Sequence, residues 1–267
     1  MGTSKCCSDK TNTINKYLVV IIIIFILSFL LRKKNLSEEF IVSLNKNNYK
    51  NTLIQTYKDF SLVPEKVHIN RKKYLPNYEY IFFDDKGCEE FINKNYGEDF
   101  LSVYKKTEAP AHKADFFRYC YLYINGGLYC DIKTIFTKPV NKIFTQKDKT
   151  YSVLSSNPYT IYQGIIYTYP RNPLFLVLIN NFLKISKEGI HDYLIFTKDF
   201  YNVFLNNNRK EQLECGENDN IILFREVCSI TDNSLCDYKF DRYGGCCKIV
   251  DKKDNLLFKT RYTDFPW

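Results

Sequence analysis

The sequence predicts an α/β layered sheet flanked by helices and preceded by one N-terminal transmembrane helix. Three observations carry this. Strand-like and helix-like stretches alternate from about residue 51 onward. An apolar run, Tyr17–Leu31 (YLVVIIIIFILSFLL), lies close to the N-terminus with Ser28 its only clearly polar member. The 267 residues are 45% hydrophobic, 25% charged and 16% aromatic, the composition of a chain that folds rather than of a disordered or heptad-built one.

Taken in order, residues 1–16 read as a cytosolic tail and Tyr17–Leu31 as the anchor. As a helix the run spans about 22 Å, short for a hydrocarbon core of about 30 Å unless Lys16 and Arg32 snorkel and the bilayer thins. It ends in Arg32-Lys33-Lys34, a stop-transfer pattern without a small-x-small cleavage site, which favours an uncleaved signal-anchor over a signal peptide. Residues 32–50 are Asn/Lys-rich and aperiodic, as a stem would be. Residues 51–267 are long enough to bury a core as one domain.

Within that body, Thr52–Tyr57 and Tyr78–Phe83 are rich in β-branched and aromatic residues and predict strands. Helices are expected over Gly87–Asn95 and Asp99–Lys106. Pro110 suits the first turn of a helix running through Ala111–Ile124, with Asn125-Gly126 as its stop and a strand, Leu128–Ile132, directly after Gly127. Strands follow at Tyr151–Ser155 and Gly164–Tyr169, helices at Pro173–Ser186 and Tyr193–Asn206, and strands at Ile221–Glu226, Cys247–Asp251 and Leu256–Tyr262.

Charge and cysteine content narrow the function classes. The formal net charge is +8, but residues 1–50 alone hold eight basic and three acidic side chains, leaving only +3 on the body. That is too little for the electrostatic footprint of a dedicated nucleic-acid binder. Cys215, Cys228, Cys236, Cys246 and Cys247 crowd into a stretch with no histidine and no C-x-x-C pair, which argues for disulfides and a lumenal body rather than zinc. The one glycosylation sequon, Asn35-Leu36-Ser37, abuts the anchor.

The chemically informative stretch is Lys113–Lys133 (KADFFRYCYLYINGGLYCDIK). Asp115 and Arg118 are i and i+3 on a helix and project from one side. Asp131 and Lys133 are i and i+2 at the end of the following strand and share one face. Ligands of open α/β sheets gather outside the carboxyl ends of strands, so four charged groups are expected to converge on one crevice. The bland alternative is a surface ion pair of little value.

This stretch resembles the DXD-containing sugar-binding glycosyltransferases, a family that includes fungal α-1,6-mannosyltransferases, animal α-1,4-galactosyl- and N-acetylglucosaminyltransferases, and the catalytic domains of clostridial glucosylating toxins. The similar elements are Ala114-Asp115, Arg118, Gly126-Gly127-Leu128-Tyr129 and Asp131-Ile132-Lys133, with weaker likeness at Ile54-Gln55-Thr56-Tyr57, Tyr78-Glu79-Tyr80, Asp84-Asp85, Gln163-Gly164-Ile165-Ile166 and Pro173-Leu174. The resemblance implies a GT-A-like, Rossmann-type mixed sheet and a hexosyltransferase that takes a nucleotide-sugar donor and a glycan or glycolipid acceptor with retention. It implies a type II membrane protein of the Golgi or ER with a lumenal catalytic domain. By the same resemblance Asp115 and Arg118 hold the transferred sugar, Asp131 holds ribose or metal, and Gln55, Thr56, Tyr57, Gly127, Tyr129 and Lys133 line the donor site.

The family implies a divalent cofactor, Mn²⁺ or Mg²⁺, on Asp131. Lys133 argues against it, because a lysine stands where the second acidic ligand is usual and supplies no oxygen to a hard cation. Its ammonium can instead act as a fixed cation facing phosphate. The alternative is a non-catalytic, membrane-tethered sugar-binding relative. Among the remaining candidates, His112 reads as a helix-surface residue beside Asp115, Tyr57 as core or base-stacking ring, and Trp267 as a mobile closing tail or an exposed end.

Overall fold

The computed structural model describes residues 49–228 and 247–260. The expected tail, anchor and stem up to residue 48, and Cys236, Cys246 and Trp267, lie outside the described residues. Among the described residues no helix is long and apolar enough to cross a membrane.

The strands are β1 (Thr52–Thr56), β2 (Glu79–Phe83), β3 (Gly127–Cys130), β4 (Ile135–Phe136), β5 (Thr150–Leu154), β6 (Ile161–Thr168), β7 (Gly216–Asn218), β8 (Ile221–Cys228), β9 (Cys247–Val250) and β10 (Leu256–Lys259). The helices are α1 (Glu65–Tyr74), α2 (Asp85–Tyr96), α3 (Glu98–Lys106), α4 (Pro110–Asn125), α5 (Pro173–Glu188) and α6 (Ile195–Asn207). The alternation expected from sequence is therefore present, as a mixed α/β sheet flanked by helices.

Local chemistry sets the boundaries. The Asp84 carboxylate accepts the Gly87 backbone N–H at 2.7 Å and caps α2. Pro110 opens α4, and Gly126, at φ +64°, closes it. Gly127 has φ +104°, and a Cβ there would sit 2.2 Å from the Thr52 hydroxyl, so the Gly-Gly pair lets α4 turn back onto β1. α1 was not expected, because only Val67 of its ten residues is buried and apolar periodicity is absent. β4 and β7 are too short to signal themselves.

Hydrogen-bonded strands follow the order β2-β1-β3-β6-β5-β8-β9-β10-β4, with β7 on β8. β1 runs parallel to β2 and β3, and β6 runs antiparallel to β3. From β3 to β4 the order takes six steps, roughly 29 Å in a flat sheet at about 4.8 Å per strand. Only residues 131–134 join the two, and they reach at most about 17 Å. The sheet must therefore curl back on itself.

Two cores result. Leu53, Leu128, Phe144, Tyr151, Tyr167 and Phe258 fill the curl, while Ile54, Tyr129 and Ile166 meet the helices through Phe116, Phe182 and Phe200. Cys228 and Cys247 face each other across β8 and β9 and form a disulfide, whereas Cys215 is a free thiol.

Candidate functional site

Chain direction brings one end of four elements together. β1 and β3 are parallel and finish side by side; β6 runs the other way, so its start lies there too. α4 descends to the Gly126 turn from the same end, which places its early residues Asp115 and Arg118 beside the residue that follows β3, Asp131. The strand stops at Cys130, two residues before the expected Ile132, and Asp131 turns out of the sheet with its N–H on the Gly164 carbonyl at 2.8 Å. Lys133 thus sits in a turn rather than on a strand face, yet its ammonium still lies 3.9 Å from Asp131 Oδ2.

Arg118 is the hub. Its Nη2 lies 3.4 Å from Asp115 Oδ1 and 3.5 Å from Asp131 Oδ1. Nη1 donates to the Gln163 carbonyl and Nε to the Ala114 carbonyl at 3.0 Å. The guanidinium carbon stands 4.3 Å from the centre of the Tyr129 ring, a cation–π contact. Arg118 is buried, and burial by itself would favour the neutral form; Tyr129, Asp115 and Asp131 outweigh it and raise the pKa. Burial pushes the Asp115 carboxyl up to about 6, with Arg118 opposing that rise and Asp131 adding to it.

Tyr129 braces the site from below. Its hydroxyl donates to Asp131 Oδ1 at 3.2 Å and meets the Thr56 hydroxyl, also at 3.2 Å, so Thr56 is left to donate to it. The Gln55 side-chain amide donates to the Asp131 carbonyl at 3.4 Å. Tyr129→Phe is expected to cost about 1 kcal/mol of stability, the usual worth of one hydrogen bond, and to slow any chemistry that needs Asp131 held still; thermal unfolding and turnover check it.

Of the residues singled out from sequence, the structure brings together Asp115, Arg118, Asp131, Lys133, Tyr129, Thr56 and Gln55. It does not bring Gly127 to them. That glycine opens β3 at the far end of the strand, and the Thr52 contact explains its missing side chain. Tyr57 turns toward an apolar cluster of Val63, Val67 and Ile132. His112 is buried, with Nε2 2.9 Å from the Tyr193 carbonyl and its ring against Tyr193 and Phe196.

Sequence reasoning did not place Tyr162 and Gln163 in the site. The Tyr119 hydroxyl donates to Gln163 Oε1 at 2.6 Å, which turns the amide nitrogen away from it; that nitrogen, the Gln55 Oε1 and the Tyr162 hydroxyl are all buried without a hydrogen-bond partner. A Cβ on Gly164 would lie 2.3 Å from the Tyr162 hydroxyl and 2.7 Å from Asp131 Oδ2, so those two atoms are at most about 5 Å apart. Buried polar atoms without partners are uncommon, and these three belong to side chains that adjoin Asp131, in the case of Gln55 and Tyr162, or meet Tyr119 beside Arg118, in the case of Gln163, which suits a polar ligand. The available signal was Gln163-Gly164 interrupting an apolar strand.

The donor set does not fit a divalent ion. Asp131 is flanked by the Arg118 and Lys133 cations, and Asp115 is spent on Arg118. Among the described residues one group of three ligating side chains comes close enough for a metal, Glu226, Cys228 and Cys247, and its two sulfurs are bonded to each other.

Residues 39–150 match the family described as a glycosyltransferase sugar-binding region containing a DXD motif, a span that holds Gln55, Asp115, Arg118, Asp131 and Lys133. The chain is 29% identical over 129 residues to an uncharacterized glycosyltransferase of Acanthamoeba polyphaga mimivirus, covering 48% of this chain and 51% of that protein. It is 38% identical over 69 residues to the initiation-specific α-1,6-mannosyltransferase of Candida albicans, covering 25% and 18%. It is 29% identical over 146 residues to a mannosyl phosphorylinositol ceramide synthase of Saccharomyces cerevisiae, covering 52% and 37%. The chain thus spans about half or less of the length of these curated relatives.

Proposed function

From a chain that carries a glycosyltransferase sugar-binding region, we infer a hexosyltransferase that moves a sugar from a nucleotide-sugar donor to a glycan or glycolipid acceptor with retention. The observation that carries this is the convergence of Asp115 and Asp131 on Arg118, at 3.4 and 3.5 Å, by the ends of β1 and β3. Packing alone gives no reason to bury such charges, since they are costly unless paired or used. The mixed sheet is read as GT-A-like. The relatives' names, which specify mannosyl transfer and in one case an inositol ceramide, support a hexose and a lipid-linked acceptor.

Each side chain has a role in this reading. Asp115 accepts hydrogen bonds from hydroxyls of the transferred sugar, and Arg118 fixes both carboxylates. The oriented amide nitrogen of Gln163 donates to a sugar oxygen. Gln55 and Thr56 border the nucleotide. The Lys133 ammonium faces the diphosphate and offsets the charge that grows on it as the sugar leaves. None of the named side chains is assigned as a nucleophile.

The body is proposed to lie in the lumen of the Golgi or ER behind the Tyr17–Leu31 anchor. The Cys228–Cys247 disulfide supports an oxidising compartment. A second reading, a non-catalytic sugar-binding protein, is favoured by one observation, the lysine in place of the second acidic residue of the motif.

Asp131→Asn tests the reading. The change removes charge at nearly constant volume, so the fold should survive while turnover falls by about 10²–10³, the scale for losing one preorganised electrostatic group. Near-normal turnover in the folded variant would sink the assignment.

Asp115 adds a pH signature. Its folded-state pKa of about 6 lies above the ordinary 3.8, so the stability it lends is present below pH 3.8 and is lost as pH rises through about 6. Sugar binding needs the ionised form, so kcat/KM should instead rise through pH 6. Asp115→Asn should erase that limb, as a pH–rate profile will show.

A further inference from the structure

No residue of the 3-10 turn before α1, Phe60–Leu62, is buried; one side of the Phe60 ring packs on His68 and Phe82 at 5.2 and 5.1 Å, and the rest of it, with Leu62 and the outer side of α1, is exposed. Phe60, Leu62 and Ile69 are 50%, 48% and 57% exposed, so three of the seven large apolar side chains exposed among the described residues fall within ten positions. α1 docks by its other side. Val67 is buried with Val63 and Ile132, Asn70 bonds the Phe136 backbone at 2.9 and 3.0 Å, and the Arg71 guanidinium lies 4.0 Å over the Tyr80 ring. At 3.6 residues per turn, Glu65, Ile69, Lys72 and Lys73 then face outward, with both exposed lysines on the turn after Ile69.

Charge on this surface is predominantly positive. Lys58, Lys66, Lys72 and Lys73 stand against Asp59 and Glu65. The Asp59 carboxylate is engaged, accepting from both the backbone N–H and the hydroxyl of Ser61 at 2.8 Å. Apolar side chains set singly among lysines suit a phospholipid surface, where each kind of group finds its own layer, better than a protein face, which would have to bury the ammonium groups.

Position strengthens this. The 3-10 turn follows closely on the end of β1, at the rim of the candidate site. At its other end α1 places Lys73 and Tyr74 with Asn51 and Tyr78 around a cavity of about 550 Å³, beside the point where the described chain begins. The face therefore runs from the site to the residues that follow the stem.

We propose that this face rests on an anionic lipid bilayer, with Phe60, Leu62 and Ile69 entering the headgroup–acyl boundary and Lys58, Lys72 and Lys73 meeting the phosphates. The contact does not depend on the transferase activity. If both hold, it keeps the mouth of the site at the membrane surface, where a lipid-linked acceptor presents its hydroxyl.

The test uses the full chain with the photo-crosslinking residue benzoylphenylalanine at position 62, 69 or, as control, 177. Val177 is 45% exposed on α5. Vesicles are phosphatidylcholine with or without phosphatidylserine, and donor hydrolysis is followed in parallel. Lipid adducts at 62 and 69 should exceed those at 177 at least about fivefold, and the Lys72→Glu, Lys73→Glu pair should lower them about tenfold while leaving donor hydrolysis unchanged. Equal adducts at 177, adducts indifferent to phosphatidylserine, or crosslinks to a second copy of the chain would each overturn the proposal. Loss of hydrolysis in wild type with lipid adducts intact would count against the transferase reading alone.

Discussion

Arg118→Met is expected to give the largest loss of stability of any single change in the site, about 3–5 kcal/mol, because it strands two carboxylates that the guanidinium now holds at 3.4 and 3.5 Å. In a body of this size that lowers the unfolding midpoint by roughly 10 °C. Methionine keeps much of the volume, so a packing defect does not explain such a loss. The pH dependence separates charge from packing. Arg118 opposes the rise of the Asp115 pKa, so without it Asp115 takes up a proton more readily and the deficit shrinks on acidification from pH 8 to pH 5. A deficit of equal size at both pH values would show that packing, not charge, was lost. Turnover should vanish at every pH.

Lys133→Ala is expected to lower kcat by about 10²–10³ with little change in the melting curve, since a part-exposed ammonium contributes little to the fold and much to a leaving diphosphate. Chelation by EDTA should then change wild-type activity less than about twofold, in keeping with a carboxylate flanked by two cations and a poor ligand set. Lys133→Asp should shift the enzyme toward dependence on Mn²⁺. Complete loss of wild-type activity on chelation, restored by Mn²⁺, would mean that the lysine does not replace the ion.

The site was legible from sequence where it depended on spacing along one element. Asp115 and Arg118 share a helix side because they are three apart, and Pro110 and Gly126 fix where that helix begins and ends. Asp131 was expected at the end of the strand Leu128–Ile132 and lies just past the observed one, which stops at Cys130. What depended on distant segments was not legible. Tyr162 comes near Asp131, and Gln163 near Arg118, only because β6 runs antiparallel to β3, and the one local signal, Gln163-Gly164 interrupting an apolar strand, does not say where that strand pairs. Gly127 looked like part of a donor loop because its motif does, whereas its φ and the Thr52 hydroxyl give it a backbone role. α1 escaped because it is held by one buried valine, an asparagine bond and a cation–π contact rather than by an apolar stripe. The curl of the sheet comes from a pairing, β10 with β4, between residues far apart in sequence.

The most direct measurement is a donor-hydrolysis and binding screen of the purified full chain against UDP- and GDP-linked hexoses, with and without Mn²⁺, alongside folded Asp131→Asn. The account predicts that one donor is cleaved to free sugar and nucleoside diphosphate by the wild type and not by the variant. A wild-type chain that is folded, binds no nucleotide sugar in the panel and cleaves none would contradict it.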